Sequence, residues 1–469
     1  MVQPVEVADV RTALLWAQEH GLDIAVKGGG HSTAGTSSSE GGLVIDLSRM
    51  KQVSVDATRR TITAQGGATW KEVDEAGAVH GLATVGGTVN HTGVGGLTLG
   101  GGYGWLSGQY GLTIDNLLSA RVVLADGSLV TASASEHSNL FWALRGAGYN
   151  FGVVVEFTYQ AYEQHRLVYA GILGFSSQKL EAITEQLNET LLHPDNRSGA
   201  ICIFAQAPDG SGPVVILICF YNGSREEGER RFAGFLSLEP IINTLDMVPY
   251  SVVNSLQNDQ ATYGDRKSFK GVFYQPPIEP QFARTIFNDL MAKIENEPEL
   301  AKSVILLEFF DMRKICETPL STTALASRNS TQNGIICLRW KDAKKDAEYR
   351  AWARELQSKW KAELDARVQT GEDVPQYINY AEREFVTCPS RYASLTSSQR
   401  GTRPWEIFMG RTWADYRKPR PSMTRTTCSI RCSQSSERSR MATRSHILET
   451  RQSGKSSGSR WIVYTRQTV

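Results

Sequence analysis

The sequence predicts an α+β chain, in which short strands and helices interleave irregularly rather than in the strict strand–helix–strand order of a parallel sheet. Three observations carry this. β-like apolar runs alternate with helical patterns at uneven spacing along the 469 residues. Glycine is concentrated at the front, with 26 of the 42 before residue 160. The formal charge of +1 joins two unlike parts: residues 1–382 hold 33 Lys+Arg against 44 Asp+Glu, and residues 383–469 hold 17 against 5. The chain thus reads as a Gly-rich front, an ordinary middle and a basic, polar tail. Its 41% hydrophobic content is ample for sizeable cores. No apolar run reaches the length of a membrane span, so a helical membrane protein is not expected. The acidic body argues against a nucleic-acid partner.

In the front, Val10, Leu14 and Ala17 recur at helical spacing after Asp9 and Gly21 closes the pattern, which predicts a helix over 10–20. Short strands are expected at Asp23–Lys27, Gly42–Leu47 and Thr61–Gln65. Thr69 and Glu72 form a Thr-x-x-Glu capping pair ahead of a helix over Trp70–His80, ended by Gly81. Arg121–Leu124 and Leu129–Ser133 flank Ala-Asp-Gly-Ser, a hairpin turn. Ser138 caps a short helix through Leu144, and Val153–Thr158 reads as a strand. In the middle, strands are expected at Leu167–Leu173, Ala200–Phe204, Val214–Phe220, Val304–Phe310 and Gly334–Trp340, with the clearest helix at Asp346–Glu363. The seven cysteines all follow residue 201, are odd in number and lack paired metal spacing, so neither a disulfide framework nor a metal site is expected.

The glycines carry the chemistry. Lys27-Gly28-Gly29-Gly30-His31-Ser32 follows a strand, and its glycines let successive backbone N–H groups converge on a phosphate. Gly86–Gly104 holds nine glycines in nineteen residues, a density expected where backbone must touch a large planar or phosphorylated ligand. A Gly-x-Gly-x-x-Gly turn opening a helix is missing, so a Rossmann site fits poorly. Either stretch alone reads equally well as a loop set without a ligand; the two together favour a ligand.

VKGGGHS, GLVIDLSRM, GGTVNHTGVGGLTLGGGYGWLSGQYGLTIDNL and NLFWALRGAGYNFGVV, in order and spacing from about residue 3 to 160, closely resemble the FAD-linked oxidases of the berberine-bridge-enzyme-like group. These share the FAD-binding fold of vanillyl-alcohol oxidase and p-cresol methylhydroxylase. The resemblance implies a two-subdomain FAD-binding domain over 1–160, an antiparallel-sheet substrate domain over 161–365 laid over the flavin, and a return segment over 366–382. It implies a pyrophosphate cradle at Gly28, Gly29, Gly30, His31 and Ser32, introduced by Lys27. Flavin contacts are implied around Gly86, Gly87, Thr88, Gly93, Gly104, Asn150, Gly152 and Val154, and at Asn379 on the return segment. His31 stands where the family bonds FAD covalently, the alternative being a loop histidine that only hydrogen-bonds phosphate. Where many members add a second bond from cysteine, this chain has Val89, so a single link through His31 is expected. His91 lies in the same run, with a flavin-facing or a structural role both open.

Gln376-Tyr377-Ile378-Asn379-Tyr380 matches the family's Tyr-x-Asn-Tyr segment. There the second tyrosine lies near the substrate and takes its hydroxyl proton as hydride leaves for the flavin. A tyrosine with a pKa of about 10 is a poor base at neutral pH. Tyr380 therefore needs a neighbouring cation or a coupled carboxylate; Glu308 or Asp311 qualifies, on opposite faces of one strand, and Glu308 is taken as its partner. The alternative is an aromatic packed under the flavin. The implied activity is hydride transfer from a small-molecule alcohol, sugar, phenol or alkaloid-type substrate to FAD, with O2 as acceptor giving H2O2, in a monomer. A dehydrogenase using another acceptor and a degenerate, inactive member are the alternatives. Compartment stays open: the first residues carry no signal pattern, and Met1 falls close to where the family's conserved stretch begins, so a clipped front is an expectation.

Residues 383–469 include 15 Arg but few apolar residues, too few to offset the ordering entropy of a fold, and an irregular or disordered tail is expected. The family pattern that normally follows Tyr-x-Asn-Tyr is missing in this frame. Yet residues 405–430, back-translated and read from the third base of each codon, permit GDFYGPNVGRLPEAKAKYDPDDVFD, which is that pattern at full length. The Phe408/Met409 overlap allows only Tyr or His, and Met409/Gly410 forces Gly. A frameshift or mis-read intron between Glu382 and Trp405 is therefore expected, making the tail non-native. Sequencing the cDNA across codons 380–410 should reveal the shift; one uninterrupted frame encoding this tail would sink the idea.

Overall fold

The computed structural model describes residues 1–367 and 377–380. The expected tail over 383–469, and the return segment apart from Tyr377–Tyr380, lie outside the described residues. A helix over Val7–Glu19 packs Val10, Leu14 and Ala17 on Ile45, Leu47 and Met50. Beside it, Ile24–Lys27 and Leu43–Asp46 pair in parallel, and the Lys27 ammonium meets Asp46 at 3.0 Å. A five-stranded antiparallel sheet follows, ordered Val53–Asp56, Thr61–Gln65, Val153–Gln160, Leu117–Val123, Leu129–Ser133. The last two form the expected hairpin, with Val123 opposite Leu129. Helix Trp70–Val79 starts as its capping box predicts, the Thr69 N–H donating to Glu72 at 2.8 Å, and Gly81 leaves it at φ +65°. Its Trp70 and Val73 join Ile62, Phe157 and Tyr159 in one core.

After Gln160 the chain builds a larger antiparallel sheet. Its order is Ile242–Asn243, Leu167–Ser176, Pro213–Tyr221, Ser198–Gln206, Val304–Phe310, Gln332–Trp340, Arg266–Tyr274, and Asp246–Pro249 also pairs with Leu167–Ser176. One face carries helices Leu180–Leu192, Arg225–Leu236, Pro280–Asn296 and Asp346–Arg367, packed through Leu187, Phe232, Phe287 and Trp360. The other face presents Ile203, Phe220, Phe310 and Ile335 to Tyr103, Trp105 and Ile114 of the front half. Burial on both faces explains why these strands read as continuous apolar runs rather than as alternation. It also explains what the pattern hid: Arg266–Tyr274 carries Arg266, Lys267 and Lys270 and is absent from the sequence expectation, although Lys270 is 1% exposed. Within the glycine run, Val94–Leu99 is a short helix.

A buried ion pair ties the two halves. Arg328, its side chain 1% exposed, donates to both oxygens of Asp115 at 2.9 and 2.6 Å. Removing one partner of such a pair strands a charge in the interior, so Asp115→Ala should cost about 3–5 kcal/mol in urea unfolding. Glu163→Ala, which breaks the exposed Arg60–Glu163 pair, should cost under about 1 kcal/mol. Equal losses would contradict this account.

Candidate active site

The site begins where two glycine segments abut. A Cβ on Gly29 would lie 2.6 Å from Gly93 Cα, and one on Gly93 would lie 2.8 Å from Gly29 Cα, so no other residue fits either position. Gly30 takes φ +74°, and the Lys27 side chain covers it. Lys27 itself is committed to Asp46. Among the described residues, no protein acceptor takes the amide N–H groups of Gly29, Gly30, His31 and Ser32. Such a run of unspent main-chain donors is a nest for an anion. A Cβ on Gly86 would strike the Trp70 ring, and one on Gly104 would strike the Gly86 carbonyl oxygen. The Thr88 carbonyl accepts from Gln257 at 3.1 Å and the Asn90 N–H donates to the Asn254 carbonyl at 2.8 Å, so the larger sheet's connections hold this loop. Gly152 sits at φ +143° against the Val123 carbonyl, and Val154 is buried opposite Val122. Asn150 is exposed at the end of a single 3₁₀ turn, and among the described residues no hydrogen bond places it in the cradle.

Beside the seam stand three rings. His31 Nε2 and His91 Nδ1 are 2.7 Å apart, and His31 Nδ1 lies 3.4 Å from Thr92 Oγ1. The Tyr263 hydroxyl donates to the carbonyls of Gly29 at 2.8 Å and His91 at 3.2 Å, stapling both glycine segments from the larger sheet's side. Burial above all, then the charges of His91 and Lys267, lower the His31 pKa to about 4. At neutral pH the ring is therefore uncharged and keeps a lone pair, which a nucleophile needs.

Farther along the same sheet lies a second cluster. Tyr103 donates to the Tyr380 hydroxyl at 3.3 Å, and Tyr380 donates to Glu308 Oε1 at 2.9 Å. Strand alternation sends Glu308 and Phe310 to the face that meets the front half. Asp311, the other candidate, lies past the strand end, where Arg313 holds it at 2.6 Å. Tyr380 sits over Gly271, whose missing side chain makes the room: a Cβ there would lie 3.0 Å from that of Tyr380. Glu308 is 2% exposed and its Oε2 has no protein partner among the described residues. Burial lifts its pKa to about 8, the Tyr380 hydrogen bond opposing only in part. The Tyr380 hydroxyl is pushed well up from its usual value, first by burial and then by the Glu308 carboxylate. Of the two, Glu308 is the group that titrates near neutrality.

The return segment clamps onto the glycine run. Asn379 donates to Leu97 O at 3.1 Å and to the Tyr377 hydroxyl at 2.7 Å, and Tyr377 in turn accepts from the Gly102 N–H at 3.0 Å. Tyr149 donates to Asn379 Oδ1. Lys267, which bears electrostatically on His31, and Gly271, under Tyr380, are four residues apart on one strand, or about 13 Å. Sequence reasoning assigned no role to Tyr103, Tyr149 or Tyr263. Tyr103 stood in the quoted GGGYG, but a single tyrosine in a glycine run does not show where it points.

An anion nest formed by paired glycine loops, a neutral histidine beside it and a buried carboxylate–tyrosine chain farther along the same sheet meet the requirements of a flavin dinucleotide. The residues fit FAD: main-chain donors for the phosphates, and a cradle that any Cβ would fill. The fold and site are those of a flavin-dependent oxidoreductase. The family model of the FAD binding domain matches residues 1–133. The chain is 36% identical over 351 residues to FAD-linked oxidoreductase pgmH of Aspergillus terreus, covering 73% of this chain and 71% of that protein. It is 30% identical over 365 residues to (R)-6-hydroxynicotine oxidase of Paenarthrobacter nicotinovorans, covering 75% and 76%. Among solved structures, 6-hydroxy-D-nicotine oxidase of Arthrobacter nicotinovorans superposes with a TM-score of 0.68 at 26% identity, over 84% of this chain and 87% of that one. BBE-like 1 of Physcomitrella patens has the same fold, with a TM-score of 0.69 at 22% identity over 81% and 83%. The chain belongs to the FAD-linked oxidoreductases that carry this FAD-binding domain.

A carboxyl whose folded pKa of about 8 exceeds its ordinary 4.5 favours the fold fully below pH 4.5, and that contribution is lost as pH rises to about 8. Glu308→Gln should therefore flatten the fall in melting temperature between pH 5 and 8.5. An unchanged slope would show that Glu308 is not held neutral by burial.

Proposed function

We propose that this chain removes a hydride and a proton from a small-molecule substrate, with FAD held by one covalent bond to His31. Bound there, FAD would supply the hydride acceptor, with O2 as the final acceptor giving H2O2. Tyr380 orients the substrate's hydroxyl or amine hydrogen and relays its proton to Glu308. Tyr103 holds the Tyr380 hydroxyl in line. Phe310 and Tyr377, packed on Tyr103 at ring distances of 5.8 and 5.1 Å, keep water from the proton path. Asn379 and Tyr149 fasten the return segment so that Tyr380 stays over Gly271. The observation that carries this reading is the buried Tyr103–Tyr380–Glu308 chain, which ends on a carboxylate with one oxygen to spare. An alcohol, sugar, phenol or cyclic amine meets the requirement of one transferable hydride beside one acidic hydrogen. The hydroxynicotine oxidase relative favours the aromatic and amine end of that range.

Neutral His31, its lone pair free, supports the covalent bond, and Val89 in place of a cysteine supports a single one. The protein should be yellow, and its colour should stay with the acid-precipitated pellet; flavin released into the supernatant would remove the covalent link. Under anaerobic stopped flow, a substrate should bleach the flavin at a rate that rises with pH to a plateau above about 8, as Glu308 ionises. Glu308→Gln should slow that reduction by about 10²–10⁴-fold and Tyr380→Phe by less. Reduction untouched by Glu308→Gln would exclude the carboxylate as proton acceptor. Reduced flavin that persists in air but yields to an artificial dye would replace O2 with another acceptor.

A further inference from the structure

We infer that His91 is the proton acceptor that makes His31 Nδ1 the flavin-bonding atom, an inference that rests on the covalent reading above. The 2.7 Å contact between His31 Nε2 and His91 Nδ1 holds one proton between two rings. If His91 donated it, His31 would carry its own hydrogen on Nδ1, and neither nitrogen would have a free lone pair. Only the arrangement in which His31 Nε2–H donates leaves Nδ1 nucleophilic, with the weak contact to Thr92 Oγ1 at 3.4 Å beside it. Among the described residues, the hydrogen-bond partner of Nε2 is His91 Nδ1. The Tyr263 hydroxyl donates to the carbonyls of Gly29 and His91, and among the described residues it makes no hydrogen bond with Nε2. Lys267 donates to the carbonyls of Thr262 at 2.7 Å and Gly264 at 2.6 Å and offers no acceptor. The cluster of His31, His91 and Tyr263, with tilted and edge-on rings whose centroids are 4.7 to 5.4 Å apart, keeps the two imidazoles in register.

The step balances as follows. Nδ1 bonds to the flavin 8α carbon while one C–H bond of that methyl group breaks. The alkylated ring is cationic until Nε2–H passes to His91. The two electrons freed at the methyl stay on the flavin and leave with two protons to dioxygen, as H2O2. His91 acts through His31 and is a positioning residue, not a catalytic one, in substrate oxidation.

The test follows covalent incorporation rather than turnover. Wild type, His91→Ala and His91→Gln holoenzymes are incubated aerobically with excess FAD, and the linked fraction is read by intact mass and by in-gel flavin fluorescence. A visible flavin spectrum before denaturation reports that each variant still binds FAD. Both variants should link about 10²-fold more slowly than wild type, and added imidazole should accelerate His91→Ala. NMR of the flavin peptide should place the bond on Nδ1. His91→Gln keeps a hydrogen-bond acceptor but no base, so wild-type linking in that variant would overturn the inference, as would a bond to Nε2. A wild-type protein with no linked flavin would instead overturn the covalent reading itself, and this inference with it.

Discussion

The structure depends on the contact of two main chains at Gly29 and Gly93. Neither strand pairing nor side-chain packing makes it; the backbones meet because neither residue has a Cβ. That contact brings the Lys27–Ser32 turn beside the Gly86–Thr92 loop, and so sets the rings of His31 and His91 within hydrogen-bond distance. Tyr263 then bonds to a carbonyl of each segment, which couples the seam to the larger sheet. The amides left over on the turn are the anion nest.

The sheet that covers this seam is buried on both faces, and the burial sets the chemistry of the site. Desolvation penalises whichever form is charged, so one cause moves an acid and a base in opposite directions. Glu308 rises to about 8 and His31 falls to about 4. Both are neutral near pH 7, one as a carboxyl poised to lose its proton and the other as an imidazole with a lone pair. Position along the strand Arg266–Tyr274 keeps these environments apart, with Lys267 toward His31 and Gly271 under Tyr380.

Much of the front half was legible in the sequence because its signals are local. The Thr69/Glu72 box, the Ala-Asp-Gly-Ser hairpin and the strand at Thr61–Gln65 each follow from neighbours within a few residues. In the middle, apolar runs located the strand Val304–Phe310, and alternation placed Glu308 and Asp311 on different courses. The strand Arg266–Tyr274 was illegible since its charges are met only in the tertiary structure, where Arg266 pairs with Asp346 and Lys267 donates to the carbonyls of Thr262 and Gly264. The helices Leu180–Leu192 and Pro280–Asn296 fall among the helical stretches expected between the strands of the middle, where only Asp346–Glu363 was given bounds.

By itself the sequence determined the chemistry at hand: two glycine segments, a histidine at the end of one, and a tyrosine pair near the end of the body. These depend on residue type and short spacing, which a linear chain carries. Only the tertiary structure decided the pairings. It chose Glu308 over Asp311 because the strand ends at Phe310 and Arg313 claims the second carboxylate. It joined His31 to His91 across sixty residues and Tyr103 to Tyr380 across 277. Distances of that kind are set by how the larger sheet packs on the glycine-rich connections of the front half, and no window along the sequence contains both partners.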